Sequence, residues 1–459
     1  MRKFTAMPLE SGIEPSQEQL EQLAIAVNQR DSDFILSEIG ELHPADITQL
    51  LYDFGSQECK YVISLLPYPV GAEIITNLDS ETRRKFLRVY DSAEFVQFIP
   101  AMDSDDAVDI LTETPIRFRE EVIARMEDKE MASYIVELLR YDEDCAGGLM
   151  AKELIKANVN WTVVRTIEEI RRQAENVEKF YSVYVVDDND ILLGRVSLKK
   201  IILSKSNTLI KDIYEKEIVF IESYRDQNEV AEIMQRYDLE SVPVVNFQGM
   251  LLGRITIDDV VDVITEQAEE EINLMSGISE TVEEDEPVWT AARARLPWLL
   301  IGMCGGLLGA KLAGLFEWQI RMVPAMAFFI PLITATGGNV GIQASTVMVQ
   351  GLSNRLPGGM SFLQKLMKTI LVALVNASIL CAAVLLFTWL LGDPIRLAAT
   401  VSVAIFSVVI LASIMGTVTP YVLDKIGINP ALASGPFITT ANDLLGLAVY
   451  FWVAWAMLH

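Results

Sequence analysis

The segments YSVYVVDDNDILLGRVSLKKII, Tyr181–Ile202, and ESVPVVNFQGMLLGRITIDDVV, Glu240–Val261, repeat one pattern at an offset of 59 residues. Both carry S-V-x-V-V, then L-L-G-R, then a small hydroxyl residue. A short β-branched run bounded by polar turn residues reads as a buried strand. The second apolar run reads as its partner, and the hydroxyl residue as the start of a helix. A further helix precedes each copy, over Thr166–Asn176 and Asn228–Tyr237. Self-similarity at fixed spacing makes this a duplicated α/β unit.

The chain around the repeat has 459 residues, 51% of them hydrophobic and 22% charged, too apolar for disorder and too long for one domain. Of 37 Lys/Arg and 63 Asp/Glu, nine and four lie beyond Ala292, so the first 292 residues carry a net charge of -31 and the rest +5. So acidic a soluble part argues against nucleic-acid binding. Cys59, Cys145, Cys304 and Cys381 are scattered, with no spacing for a disulfide framework or zinc site, which fits a reducing compartment. With His43 and His459 the only imidazoles, imidazole-based metal or acid–base chemistry is hard to assemble, and an enzyme is not expected. Met1–Pro15 lacks a continuous apolar core, so no cleavable signal is expected and the acidic part should stay inside.

Beyond Arg295, five nearly uncharged apolar runs approach or exceed the roughly 20 helical residues that cross a hydrocarbon core: Leu296–Phe316, Met322–Val349, Thr369–Leu391, Leu397–Leu423 and Pro436–Leu458. With the acidic part in the cytosol, Arg293, Arg295, Arg355, Lys365, Lys368 and Lys425 flank inner ends, and Arg321 and Arg396 lie outside. That bias satisfies the positive-inside rule and places His459 outside.

Polar residues inside the spans mark candidate sites. Asn339, Gln343, Thr346 and Gln350 share one face of the second span, beside a small-residue face of Gly338, Gly341 and Ser345 that suits a close helix neighbour. A polar helix–helix seam explains the stripe as well as a pore lining does. Asp443 is the one acid well inside a span and is therefore a functional candidate. Gly435, Thr439, Asp443 and Gly446 fall on one face, leaving room for water around a cation. The competing reading is a structural pair with Lys311, which could instead snorkel outward or pair with Glu317. Oxygen ligands without thiolate or imidazole favour a hard divalent cation such as magnesium.

Upstream of the repeat, Ser16–Tyr141 reads as short amphipathic helices separated by LHPAD, LLPYP, NLDSE, MDSDD and TETP, an α-superhelix. Its acids read first as helix starts and solvated faces, with a metal role for Asp103, Asp105 or Asp106 as the alternative. After the repeat, Asp258–Gly277 reads as a connecting helix. Asp258, Asp262, Glu266 and Glu269/Glu270 recur on it at helical spacing, with Asp259 and Glu271 alongside. Like charges four apart repel, so a divalent cation bridging this face would stabilise it; a plain solvated acidic helix is the other reading.

The duplicated unit resembles a tandem pair of CBS domains, which often bind adenine nucleotides. Such sites commonly place an acid three residues past the Ser/Thr that follows the second strand. The second copy has Thr256 and Asp259; the first has Ser197 but Lys200, which cannot accept a hydrogen bond. ATP is thus a candidate ligand rather than an expected one.

The order of parts resembles the MgtE family of magnesium channels and transporters along nearly the whole chain. The motifs are LHPAD at Leu42–Asp46, YDEDCAGGLM at Tyr141–Met150, PLITATGGNVGIQAS at Pro331–Ser345 and ASGPFITTANDLLG at Ala433–Gly446. The resemblance implies a multidomain protein: an N-terminal helical domain (16–141), a CBS pair (142–257), a connecting or plug helix and linker (258–292), and a five-helix transmembrane domain (293–459). It implies a homodimer in the inner membrane, with its N-terminal domains cytosolic and a pore at the dimer axis. There Asp443 would face a hydrated magnesium ion, with Asn339, Gln343, Gly435 and Thr439 lining the path. It assigns magnesium sensing to Asp226, Asp238, Asp259, Glu270 and Glu271, with Asp258 and Asp262 as neighbours. Asn228, Ile342 and Asn429 depart from the family's pattern; Asn228 and Asn429 each remove a hard anionic ligand. A CBS-regulated secondary transporter or exchanger is the alternative, and a nucleotide sensor without transport a third reading that leaves Asp443 unexplained.

Overall fold

The computed structural model describes residues 17–173, 182–279, 288–353, 360–392, 394–433 and 435–458. Met1–Ser16, the end of the first predicted repeat helix, Tyr181, linker residues 280–287, Arg355 and His459 lie outside the described residues. The chain divides into two compact units, Met1–Ile264 and Thr265–His459.

The first unit opens with ten α-helices among the described residues, from α1 (Gln17–Gln29) to α10 (Lys129–Leu138), as the punctuated pattern predicts. The punctuation works through capping: Asp31, Asp79, Asp91 and Asp128 each accept a hydrogen bond from the first turn of the helix that follows. In LHPAD, His43 Nδ1 accepts from the Ala45 amide at 3.2 Å and Pro44 opens the helix, so this imidazole serves as a cap. Ile35, Ile74, Ile75, Phe95 and Ile99 are fully buried beneath these helices. Edge-on aromatic contacts, Phe86–Tyr90 at 5.0 Å and Tyr90–Phe98 at 5.7 Å, complete the packing.

The repeat forms two matching three-stranded sheets. In the first, β1 (Lys156–Asn158) pairs parallel with β2 (Val183–Val186), and β2 antiparallel with β3 (Leu192–Val196). In the second, β4 (Ile221–Glu222), β5 (Ser241–Val245) and β6 (Leu251–Thr256) repeat that order. The register slips at Val185/Val186 in one sheet and at Val244/Val245, the equivalent step, in the other. The two copies also bind one another reciprocally: Leu192 N–H donates to Gly249 O at 2.9 Å, and Leu251 N–H to Asp190 O at 2.9 Å. This exchange is the pseudo-twofold axis of the duplication. The shared glycine of L-L-G-R sits where another segment crosses the sheet: a side chain on Gly194 would overlap Glu215 O, and one on Gly253 would meet Ala151 O at 2.5 Å. The helices of the module are α11 (Val163–Gln173), α12 (Leu198–Leu203) and α13 (Gln227–Tyr237). The connecting helix is α14 (Ile257–Ser276).

The second unit holds five long helices among its described residues: α15 (Val288–Leu315), α17 (Met326–Ser353), α18 (Phe362–Leu390), α19 (Ile395–Lys425) and α20 (Pro436–Leu458), with the short α16 (Glu317–Met322) after the first. By length and composition, α15, α18, α19 and the run Pro430–Leu458 can each cross a membrane. Helix α17 has 28 residues without a charge and is less apolar because it carries the polar stripe. Helix α19 is the packing centre, buried along Val401, Ala404, Ile405, Val408, Val409 and Ala412, whereas α15 and α18 expose leucine and valine along most of their lengths. Such a surface suits lipid or another protein.

Replacing Gly253 by Val forces a branched side chain into the Ala151 backbone and should cost about 1–3 kcal/mol. Thermal unfolding of the full-length protein, followed by the transition of its soluble part, should show that loss as a lower midpoint.

Candidate cation sites

In the second unit the chain entering α20 is set by a glycine. Gly435 has φ of 63°, in the left-handed region, and a side chain there would overlap the Met275 carbonyl at the end of α14. Pro436 then starts the helix, and one turn on the Thr439 hydroxyl donates back to Gly435 O at 2.8 Å. A further turn brings Asp443, half-buried, to a cavity of about 290 Å³. Gly302, Gly305, Gly306, Gly309, Ala310 and Ala313 of α15 form one wall, and Ile330, Thr334, Thr440 and Leu447 contribute the rest. Water occupies about 30 Å³ per molecule in the liquid, so an ion fits here with several waters still attached.

Among the described residues Asp443 makes no ion pair. Glu317 pairs with Arg321 at 2.7 Å, so the expected alternative of a Lys311–Glu317 pair is corrected: a partner one helical turn away on α16 takes the acid. Thr439 and Asp443 come together against Gly338, where a side chain would lie 3.2 Å from Thr439 Cγ2 and 3.8 Å from Asp443 Oδ1. Asn339 and Gln343 do not line this cavity; they are exposed on α17 with Gln350, a polar face without cover among the described residues.

In the first unit, α8 (Ser104–Thr112) carries Asp105, Asp106 and Asp109, which lie electrostatically close to Asp259 at the start of α14. Asp105 is only 8% exposed. Burial, then Asp259 and the other acids around it, holds its carboxyl well above the ordinary range. Burial and Asp259 push Asp106 to about 7, against a lowering by Arg83. Asp109, on the solvent edge, is pushed to about 7 by burial with the same opposition. Asp259 rises to about 6 through burial, although its carboxylate accepts from the Thr256 amide at 3.0 Å and hydroxyl at 2.8 Å.

The cation of this neighbourhood, Arg83 on α6 (Ser80–Leu87), is gripped by both oxygens of Glu113, at 2.7 and 3.0 Å, and donates to Thr76 O and Leu78 O. Sequence reasoning missed Arg83, Glu113 and Asp109. The first two lie 30 residues apart, and Asp109 reads as an ordinary solvated helix acid. Asp103 stands at the N-cap of α8 without a capping bond and comes within 3.9 Å of Arg254.

The remaining expected sensing residues are dispersed. Asp226 caps α13 by accepting from the Asn228 amide at 2.8 Å, and lines an open cavity of about 610 Å³ with Asp142, Glu143, Asp144 and Tyr224. Asp238 stands at the opposite end of α13 in the left-handed region, φ 51°, where it ends the helix. Eleven helical residues separate the two acids by about 16 Å. Asp258, Asp262 and Glu270 are exposed, and Glu271 is partly so. Among the described residues no three acids, cysteines or histidines converge tightly enough to grip a bare ion.

Family models match three parts of the chain: an MgtE intracellular N domain over residues 42–144, CBS domains over 146–206 and 210–266, and a divalent cation transporter model over 330–453. The magnesium transporter MgtE of Thermus thermophilus is 30% identical over 96% of this chain and 99% of its own length. The chain belongs to the MgtE family. The magnesium transporter MgtE of Enterococcus faecalis is 33% identical over 71% of this chain and 72% of its own. The solved cytosolic domain of a Mg²⁺ channel MgtE in complex with ATP superposes with a TM-score of 0.50 at 29% identity, covering 53% of this chain and 99% of that one. The helical domain, CBS pair and long C-terminal helices are thus those of this transporter family.

The raised carboxyls fix a pH dependence. Unfolded, these acids ionise near about 4; folded, they keep their protons to between about 6 and 7, so the native state binds more protons across that window and loses stability as pH rises through it. In a chelator, the unfolding midpoint of the soluble part should fall between about pH 5 and pH 8, and added Mg²⁺ should restore it at the higher pH and barely act at the lower. Differential scanning fluorimetry on the full-length protein measures both arms.

Proposed function

We propose that this chain is a magnesium channel. Hydrated Mg²⁺ enters down its electrochemical gradient past Asp443, and intracellular Mg²⁺ bound to the acidic soluble surfaces closes the path. The observation that carries the reading is a carboxylate in a membrane-spanning helix, without an ion pair among the described residues, facing a cavity large enough for an ion with water. Magnesium dehydrates reluctantly, so a carboxylate across a water shell attracts it without having to strip it. The uncovered polar face of α17 supports a homodimer in which Asn339 and Gln343 meet their counterparts around the pore. The basic residues flanking the spans support cytosolic N-terminal domains and an outer C-terminus, in the plasma (inner) membrane.

Gating follows from where α14 ends. Gly277, φ 79°, closes that helix, with Ile278 N–H donating to Asn273 O at 2.9 Å. The Met275 carbonyl and Gly277 lie against Gly435 and Pro436, the first residues of α20, two turns before Asp443. Bound Mg²⁺ relieves repulsion among Asp105, Asp106, Asp259, Asp258 and Asp262 and along Glu270 and Glu271, holding α14 in place. Loss of the ion frees its end to move the start of α20. Asn429 keeps the turn before α20, accepting from the Ala431 amide at 2.9 Å, while lacking the charge of an aspartate.

Nucleotide takes no step in this mechanism. In the second copy Thr256 donates to one oxygen of Asp259; in the first Ser197 accepts from the Lys200 amide and Lys200 pairs with Glu215 at 3.2 Å, so the first copy has no acid at that position.

Asp443→Ala should abolish Mg²⁺ uptake into liposomes while the protein stays folded; undiminished uptake overturns the pore assignment. Asp106→Asn combined with Asp259→Asn should raise the internal Mg²⁺ needed to halve the current by about tenfold. Channel currents should reverse at the Mg²⁺ equilibrium potential, and reversal that follows a second ion's gradient would favour coupled exchange.

A further inference from the structure

Next to Asp443 stands a residue that no transport chemistry has yet used. Asn442 is 2% exposed, and among the described residues neither its Nδ2 nor its Oδ1 has a hydrogen-bond partner. Within a bilayer there is no solvent to compensate a buried amide, so an Asn here is costly to stability and needs another reason. Its amide presses into Gly341 of α17, where any side chain would overlap Nδ2. The notch is closed from behind by Gly416 of α19, whose own missing side chain lets that helix approach the Gly341 carbonyl. On the same face of α17, a side chain on Gly337 would lie 3.7 Å from Asn442 O, and Gly338 faces Thr439 and Asp443.

We infer that Asn442 is a positioning residue: seated in the Gly341 notch, it fixes the rotation of α20 so that Asp443, and not its near-isosteric neighbour, faces the cavity. Adjacent residues on a helix point about 100° apart. Asn and Asp have almost the same shape, so packing volume alone does not decide which enters the cavity. The notch decides it, because it takes the Asn442 side chain and leaves the carboxylate at the cavity lined by α15 and α17. The inference rests on the reading of Asp443 as the cation's contact and adds what aims it.

The test is Mg²⁺ uptake into liposomes by the full-length protein, with external Mg²⁺ varied to give a half-saturating concentration. Asn442→Leu keeps the branched shape and should leave half-saturation within about twofold, whereas Asn442→Ala removes the peg and should raise it about tenfold. Gly341→Ala fills the notch and should lose uptake, and Gly341→Ala with Asn442→Ala should recover to the level of Asn442→Ala alone. If the Leu and Ala variants behave alike, or the double variant shows the product of the single effects, the inference is overturned; the Asn442 pair decides even where Gly341→Ala does not fold. Asp443→Asn in the same assay tests the underlying reading separately. Retained uptake there removes the cation role of Asp443, while coupling between positions 341 and 442 still reports on the packing.

Discussion

A carboxylate held in a hydrocarbon layer without a basic partner must be kept near water, or it gives up its charge. Around Asp443 the sequence supplies that water space by omission. Four glycines and two alanines of α15 leave a wall without side chains of any length, and Thr334 and Thr440 offer hydroxyls at its edge. The rest of the membrane unit is arranged to hold this opening. Helix α19 is packed on several sides, glycines at 337, 338 and 341 let α20 lie close on α17, and Gly435 lets the chain turn tightly into α20. Larger residues at these positions would improve burial and close the cavity.

The soluble unit meets the same electrostatic problem with the opposite solution. Asp105, Asp106, Asp109 and Asp259 are crowded rather than isolated, and Arg83, already committed to Glu113, offsets only part of their mutual repulsion. At low pH protons make up the deficit; at neutral pH a divalent cation is the natural substitute. Tight convergence of ligands would favour an ion that sheds its water. Acids crowded without such convergence among the described residues suit, on the proposed function, an ion that keeps its water.

Much of this was legible in the sequence because it depends on period. The offset of 59 residues carried the two sheets down to equivalent register slips, and apolar runs marked the long helices to within several residues. Asp443 was readable because an acid inside an apolar run is a functional candidate, with a structural pair to Lys311 as its one bland alternative. The acids of α8 were harder: Asp105 and Asp106 follow a serine at a helix start, the pattern that capping also produces, and only the fold sets them beside Asp259. Arg83 and Glu113 were invisible because no local rule joins residues on separate helices. Asn442 was hidden by its neighbour, since a polar residue beside Asp443 reads as part of the same site although its side chain points into Gly341.

One helix joins these two electrostatic situations. Helix α14 begins among acids that repel when unoccupied and ends against the glycine and proline that start α20. On the proposed gating, a movement at that end acts on the start of α20, because the Met275 carbonyl lies where a side chain on Gly435 would stand. Such a displacement would tilt or rotate α20 about its contact with α17. A helix that rotates exchanges Asp443 for Asn442 at the cavity, whereas one that tilts about the Gly341 notch keeps the carboxylate in place and changes only the width of the path. On the proposed gating, the notch thus separates opening from binding: the path changes while Asp443, the one acid well inside a span, stays aimed at the cavity.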